Sequence, residues 1–172
     1  MRSPVRWFLV MAVLLAAGTA PARAATSILE PGEDTDLAAL GWEWPVQQFR
    51  LVRGFVAPAH AYGPGHRGID LSPASARVLA PADGIVAFAG SVAGRGIVTI
   101  DHGSGLVTTL EPVTPVVTAG TLVRRGDEVA ALAAGGHAEA GAVHFGVRRH
   151  GDYINPQLLL GGVPRAVLLP CC

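Results

Sequence analysis

The chain has 172 residues, with 13 basic and 13 acidic side chains, and half of its residues are hydrophobic. This length suits one domain with a hydrophobic core. The zero net charge argues against a nucleic-acid partner, because phosphate binding depends on an excess of basic groups. Every basic residue is an arginine. The only cysteines, Cys171 and Cys172, are adjacent and would pair with each other only in a strained geometry, so we assign them no role.

Residues 1–24 have the pattern of a cleaved signal peptide. Arg2 and Arg6 form a positive start, residues 7–18 are apolar, and Ala22–Ala24 is a small-residue cleavage site. A membrane anchor is the alternative, but an apolar run of about a dozen residues is shorter than the ~20 that span a bilayer. Cleavage would leave 10 arginines against 13 acids, a net charge of −3. The pattern predicts a mature protein outside the cytoplasmic membrane.

The remaining chain divides into three parts. Residues 25–44 are rich in acidic and small side chains and are predicted to be a flexible leader. Trp42 and Trp44, near the end of the leader, are apolar anchors at which we expect order to begin. A single domain is predicted over residues 45–162, followed by a C-terminal tail over residues 163–172.

The domain is predicted to be all-β, a sandwich or barrel of short strands with little helix. Runs rich in Val, Ile and Leu alternate with Gly, Pro or Asp, and only residues 156–160 favour a helical turn. Residues 78–87 and 118–130 each place an Asp/Gly turn near an apolar pair, which fits either two halves that exchange strands or ordinary hairpins. The predicted strands are 78–80, 84–89, 97–101, 106–110, 116–117, 128–132 and 143–148.

His66 and Asp70 are candidate metal ligands. Their spacing of four places both on one face of a helix or of a strand. Nearby Pro64, Gly65 and Gly68 disfavour a helix, so we expect a loop that runs into a strand. The alternative is a surface histidine and an aspartate that caps a turn.

His144 is the third candidate ligand and lies in an alternating strand. Val143, Phe145 and Val147 form its apolar face, whereas Ala142, His144, Gly146 and Arg148 form the other face. We expect the first three to be buried and the small neighbours of His144 to line a groove. Two imidazoles and one carboxylate suit a Zn²⁺ ion with an open fourth position, which is typical of catalytic zinc. The alternative is a solvated histidine on a strand.

Four further residues have the chemistry to carry protons beside such a metal. His137 and Glu139 lie in a glycine-rich loop just before the His144 strand, and Glu111 and His102 lie near the ends of predicted strands. Solvated loop or turn positions remain the alternative for each of them. His60 and His150 are interpreted as surface residues.

Six short blocks follow one another along the chain: His66-Arg-Gly-Ile-Asp70, Val78-Leu-Ala-Pro-Ala-Asp-Gly-Ile-Val86, Val98-Thr-Ile-Asp-His-Gly103, Val123-Arg-Arg-Gly-Asp127, Val143-His-Phe145 and Ile154-Asn-Pro156. Their order resembles that of the lysostaphin-like (LytM-type) zinc metallopeptidases, over about residues 45–160. The resemblance implies a β-rich duplicated hybrid fold and Zn²⁺ held by His66, Asp70 and His144. It also implies endopeptidase activity on the peptidoglycan cross-links of bacterial cell walls, in a secreted or cell-wall-associated protein.

The sequence departs from that family at two helper positions. Family members usually have a catalytic histidine where Ala142 stands and a glutamate at Gly146, and a second catalytic histidine is expected where Pro112 stands. The resemblance therefore implies the metal ligands but leaves the proton carrier open among His137, Glu111, Glu139 and His102.

Two functional hypotheses follow. One is an active zinc endopeptidase, and the other is a catalytically degenerate relative that binds the cell wall or regulates another wall hydrolase. A third reading, a lipoyl or biotinyl carrier domain, is excluded because such a domain needs an acceptor lysine and the chain has none.

Overall fold

The computed structural model describes residues 36–60, 62–135 and 139–161. The predicted signal peptide 1–24, the first part of the leader and the tail 163–172 lie outside these ranges, and the domain boundaries stay a prediction. Within the range assigned to the leader, Leu37–Leu40 form a 3-10 helix and Trp42 is only 8% exposed. In the described ranges, no helix has the length and apolar character needed to cross a membrane.

The described chain is nearly all β, as predicted. Apart from two short 3-10 helices, Leu37–Leu40 and Pro156–Leu158, its regular structure consists of antiparallel strands. The strands are β1 (Phe49–Arg53), β2 (Ile69–Pro73), β3 (Arg77–Leu79), β4 (Gly84–Val92), β5 (Arg95–Asp101), β6 (Leu106–Glu111), β7 (Val113–Pro115), β8 (Leu122–Val123), β9 (Glu128–Leu132), β10 (Val143–Arg149) and β11 (Asp152–Ile154).

Two sheets build the domain. The larger has eight strands in the order β1-β2-β10-β6-β5-β4-β8, with β11 paired to β10, and the smaller has the order β3-β9-β7. Strands β2 and β11 share one edge of β10, because β2 pairs with the first residues of β10 and β11 pairs with its last residues. The other edge pairs with β6 along its length. Strand β10 therefore lies inside the large sheet with neighbouring strands on both edges, so a site on β10 can include residues from those neighbours.

The hydrophobic core joins the two sheets in one cluster. Val78 and Val129 contribute from the small sheet, and Ile69, Leu110 and Phe145 contribute from the large one; all five are fully buried. Val143 and Val147, on the same face of β10 as Phe145, are also fully buried. The predicted alternation of β10 is therefore confirmed, and its opposite face is free to carry polar groups.

Most predicted strands occur, but some bounds differ. The β9 strand has its predicted bounds, and β4, β5, β6 and β10 extend the predicted runs by one to three residues at an end. The strand predicted at residues 116–117 is wrong, because β7 ends at Pro115 and Val116 is 59% exposed. A β-branched pair indicated a strand there, whereas regular pairing ends at Pro115 and only one further hydrogen bond, from the Val116 amide to the Val129 carbonyl of β9, follows it.

Candidate metal centre

The side chains of His66, Asp70 and His144 meet at one point on the polar face of the large sheet. His66 Nε2 lies 3.0 Å and His144 Nδ1 lies 2.7 Å from the same carboxylate oxygen, Oδ1 of Asp70. One ligand-type atom from each residue lies within 4.8 Å of the other two. Both imidazole rings are close, with centroids 4.9 Å apart at an interplanar angle of 64°. The spacing that suggested a ligand set thus corresponds to a real cluster.

The backbone register explains why these three residues meet. Strands β2 and β10 are antiparallel neighbours, and His144 pairs directly with Asp70. Directly opposed residues of an antiparallel pair share a face and have Cβ atoms about 5 Å apart. His66 reaches the same point from the loop before β2, where it forms an isolated bridge with Val56. That loop conformation is anchored on both sides, because the amide of each bridge residue donates to the carbonyl of the other.

The polarity of the hydrogen bonds calls for a proton or a metal ion between His66 and Asp70. His66 Nδ1 lies 2.7 Å from the carbonyl oxygen of Gly54, which can only accept, so Nδ1 carries the proton. In the neutral imidazole, Nε2 then presents a lone pair to the Asp70 carboxylate at 3.0 Å. Two lone pairs at that distance repel unless a proton or a metal ion lies between them. The Asp70 side chain is 4% exposed, so water cannot readily relieve this repulsion.

Gly68 leaves room for the His144 ring because it has no side chain. A Cβ at position 68 would lie 2.7 Å from Cε1 and Nε2 of His144 and would overlap the carbonyl oxygen of Phe145. Only a residue without a side chain permits this close approach of the loop to β10.

We therefore expect Gly68→Ala to weaken metal binding by about 10- to 100-fold, the usual effect of disturbing groups that orient a ligand. It should also destabilise the fold by about 1–3 kcal/mol through overpacking. Calorimetric Zn²⁺ titration and thermal unfolding measure the two effects. Gly54→Ala is the matched control, because nothing lies within 4 Å of a Cβ built there and the backbone carbonyl that accepts from His66 is retained. Equal losses in both variants would show that the His144 contact is not the cause.

Glu111 is the candidate proton carrier that lies beside the cluster. It pairs directly with His144 across the β10–β6 ladder, so the two side chains share the polar face. Its Oε2 accepts a hydrogen bond from Arg95 Nε at 3.0 Å, and the two side chains are about one-fifth exposed, 18% for Glu111 and 21% for Arg95. Its other oxygen, Oε1, has no hydrogen-bond partner within the described ranges.

A small pocket lies where the helper histidines were expected. Pro112 and Ala142, which stand at those positions, line a cavity of about 250 Å³ together with Glu139. This pocket is lined by Ala142, which is only 1% exposed, but not by His144, so the predicted groove of Ala142, His144 and Gly146 stays a prediction at Ala142. The groove predicted at Gly146 is wrong: Gly146 is buried, and a Cβ there would lie 3.3 Å from the Arg67 carbonyl oxygen because the His66 loop crosses it. His137 lies outside the described residues.

His102 has a structural environment away from the cluster. Its Nδ1 donates to the Asp83 carbonyl, its Nε2 accepts from the Thr108 hydroxyl, both at 2.8 Å, and its ring packs on Trp42. Burial lowers the pKa of His102, although Asp101 and Asp83 oppose this change. The ladder register places His102 five residues beyond the row of His144 and Glu111, roughly 16 Å along the sheet. In this register the His102 side chain lies far from the three clustered residues.

Comparison with known proteins identifies the family. The sequence matches the description "Peptidase family M23" over residues 64–156, which include all three clustered residues and more than half of the chain. The chain belongs to peptidase family M23. Uncharacterized proteins of Mycobacterium tuberculosis and Mycobacterium bovis are each 36% identical to it over 129 residues, which are 70% of this chain. The aligned region is 52% of those relatives, so the M23 chain spans about half of their length.

Solved structures share the M23 fold. A zinc-containing peptidase from Vibrio cholerae is 26% identical and superposes with a TM-score of 0.55, covering 64% of this chain and 37% of that one. Lysostaphin, at 18% identity, has a TM-score of 0.54 and covers 69% of this chain and 54% of its own. The likeness to lysostaphin shows the fold alone.

Two features of this M23 site were not predicted from the sequence. The Gly54 carbonyl that orients His66 is a backbone group twelve residues away, and no side-chain pattern marks it. The partnership of Arg95 with Glu111 joins two strands, and its only sequence signal is opposite charge. Both depend on sheet register, which the sequence pattern did not supply.

Proposed function

We propose that this protein is a secreted zinc metalloendopeptidase that cleaves the peptide cross-links of bacterial peptidoglycan. The observation that carries the proposal is the His66–Asp70–His144 cluster, in which two imidazoles meet one buried carboxylate and could hold a metal ion. Membership of a metallopeptidase family supports the same reaction class. The signal-like segment at residues 1–24 supports action outside the cytoplasmic membrane.

Zinc fits the donor set of this cluster. Two imidazole nitrogens and one carboxylate oxygen are preferred ligands of Zn²⁺, and three protein ligands leave a position for water or substrate. Ligand atoms around tetrahedral zinc are ~3.3 Å apart, since each lies ~2.0–2.1 Å from the metal. The distances of 3.0 and 2.7 Å to Asp70 Oδ1 are close to this separation, and all three ligand atoms lie within 4.8 Å of one another. When bound, the ion supplies Lewis acidity toward a peptide carbonyl and toward water.

Other groups of the protein orient the ligand residues and carry the proton. Gly54 fixes the tautomer and orientation of His66, as a carbonyl behind a ligating histidine commonly does. Asp70 supplies the negative charge, and Gly68 sets the position of His144. Glu111 is the group that we propose to take and return the proton of the attacking water, because it pairs directly with His144 and shares its face of the sheet.

The test is metal analysis of the purified mature protein together with cleavage of purified cell wall. We expect one zinc per chain and release of new amino groups from peptidoglycan that stops on chelation and returns with Zn²⁺. Wild type that binds zinc but cleaves no wall type would support the alternative. That alternative, a degenerate relative that binds the wall or regulates another hydrolase, is favoured by Ala142 and Pro112 at the helper positions.

A further inference from the structure

Two arginines lie near one exposed tyrosine on the sheet that carries the candidate metal centre. The guanidinium carbons of Arg67 and Arg148 lie 5.8 and 6.0 Å from the centroid of the Tyr153 ring. These distances are within the range of cation–π attraction. Tyr153 is 43% exposed although two cations lie near its ring, so the group is open to a ligand. We call Arg67, Arg148 and Tyr153 the arginine–tyrosine shelf.

The shelf lies on the same sheet face as the metal ligands. Along β10, His144 and Arg148 are separated by four residues, and alternate residues of a strand share a face. Tyr153, which lies on β11, pairs directly with Arg148 of β10, so its side chain lies on that face too. Arg67 follows His66 in sequence, and its carbonyl lies over Gly146, between the two ends of this row. The shelf is therefore ~13 Å from the metal ligands along the strand.

The shelf carries two arginine charges. Arg148 forms no ion pair with a carboxylate within the described ranges, and it lies near the Tyr153 ring. Three described acidic groups share this face. Glu111 pairs with Arg95, Asp70 belongs to the metal cluster, and Asp101 lies two strands from Arg148 in the same row, where it accepts from the Gly103 amide.

An arginine that a ring attracts in this way is still able to bind an anion. Cation–π attraction acts on the delocalised charge of the guanidinium and uses none of its N–H donors. Those donors match a carboxylate in a two-point contact.

We infer that the arginine–tyrosine shelf is a substrate subsite that binds a free carboxylate of the cross-linked peptide. The distance of ~13 Å places that carboxylate about two to four residues from the bond at the metal, since an extended peptide rises ~3.3 Å per residue. The inference rests on the proposed function for the identity of the peptide. In this subsite Arg148 contacts the carboxylate, the Tyr153 ring attracts the guanidinium of Arg148, and Arg67 adds a second positive charge.

The test compares two synthetic stem-peptide dimers that differ only in having free carboxylates or carboxamides, with the cross-linking amide N-methylated to prevent cleavage. We expect zinc-loaded wild type to bind the carboxylate dimer about 10-fold more tightly at low salt. Arg148→Gln should reduce this preference to within about two-fold while binding of the carboxamide dimer is unchanged. Arg148→Lys should retain part of it, because the charge remains but the two-point contact is lost.

Arg149→Gln is the matched control. It removes the same charge from the adjacent residue, whose side chain lies on the opposite face of β10, and should retain the 10-fold preference. No preference in wild type, no binding of either dimer, or equal losses in both variants would overturn the inference. Cleavage of the unmodified dimer is measured in parallel. Cleavage without a preference refutes the subsite alone, whereas a preference without cleavage refutes the endopeptidase alone.

Discussion

Asp70→Ala should remove zinc and wall-cleaving activity together. The carboxylate is the only anion in the cluster, and one of its oxygens contacts both imidazoles. Disturbing a group that merely orients a ligand costs about 10- to 100-fold in metal affinity, so loss of a charged ligand should cost more than 100-fold. Calorimetric Zn²⁺ titration and metal content after dialysis measure the affinity, and amino-group release from cell wall measures the activity.

Two further variants make the Asp70 result specific. Asp70→Asn keeps an oxygen in place but not the charge, so its zinc affinity should lie between those of wild type and Asp70→Ala. Asp152→Asn removes an exposed carboxylate on β11 and should leave both readouts unchanged. If Asp70→Ala retained one tightly bound zinc per chain, the metal ion would have to lie elsewhere, and the assignment of the cluster would be wrong.

The ligand residues were predictable because their signals are local. Glycine and proline around His66 excluded a helix, and strict alternation around His144 fixed which face of β10 is buried. The meeting of the two segments was not predictable from these signals, since it depends on the pairing of β10 with β2 rather than with another strand. Here the resemblance to a family, and not the spacing, implied that the three residues converge.

The parts of the site that the sequence failed to predict depend on long-range register. Gly146 looked like an open position because it is small, but the loop that carries His66 crosses it. His102 looked available because it follows a strand, but its strand places it at the other end of the sheet, where Asp83 and Thr108 hold it. Residue type indicates what a side chain can do, whereas register decides what it can reach.

Register is also the reason to expect a large effect from Glu111→Gln. Glu111 lies opposite His144, and Arg95 holds one carboxylate oxygen at 3.0 Å while the other is left without a partner in the described chain. A carboxylate so fixed is oriented before the substrate arrives, which a proton carrier needs. The amide of glutamine keeps the size and a hydrogen-bond acceptor but cannot take a proton. We expect kcat for cross-link cleavage to fall about 10² to 10⁴-fold, with zinc content unchanged.

Glu128→Gln is the matched control for this prediction. Glu128 also accepts a hydrogen bond from an arginine Nε, that of Arg77 at 2.8 Å, but it lies on the small sheet away from the metal ligands. A structural ion pair of this kind contributes about 0–1 kcal/mol when exposed, so loss of the Glu128 pair should change stability slightly and kcat not at all. His137→Ala is measured in parallel, since His137 has the right chemistry and precedes the β10 segment in the sequence. Full activity in Glu111→Gln together with a large loss in His137→Ala would transfer the proton-carrying role to the histidine. Full, chelator-sensitive activity in both variants would show that neither group replaces the helper histidines.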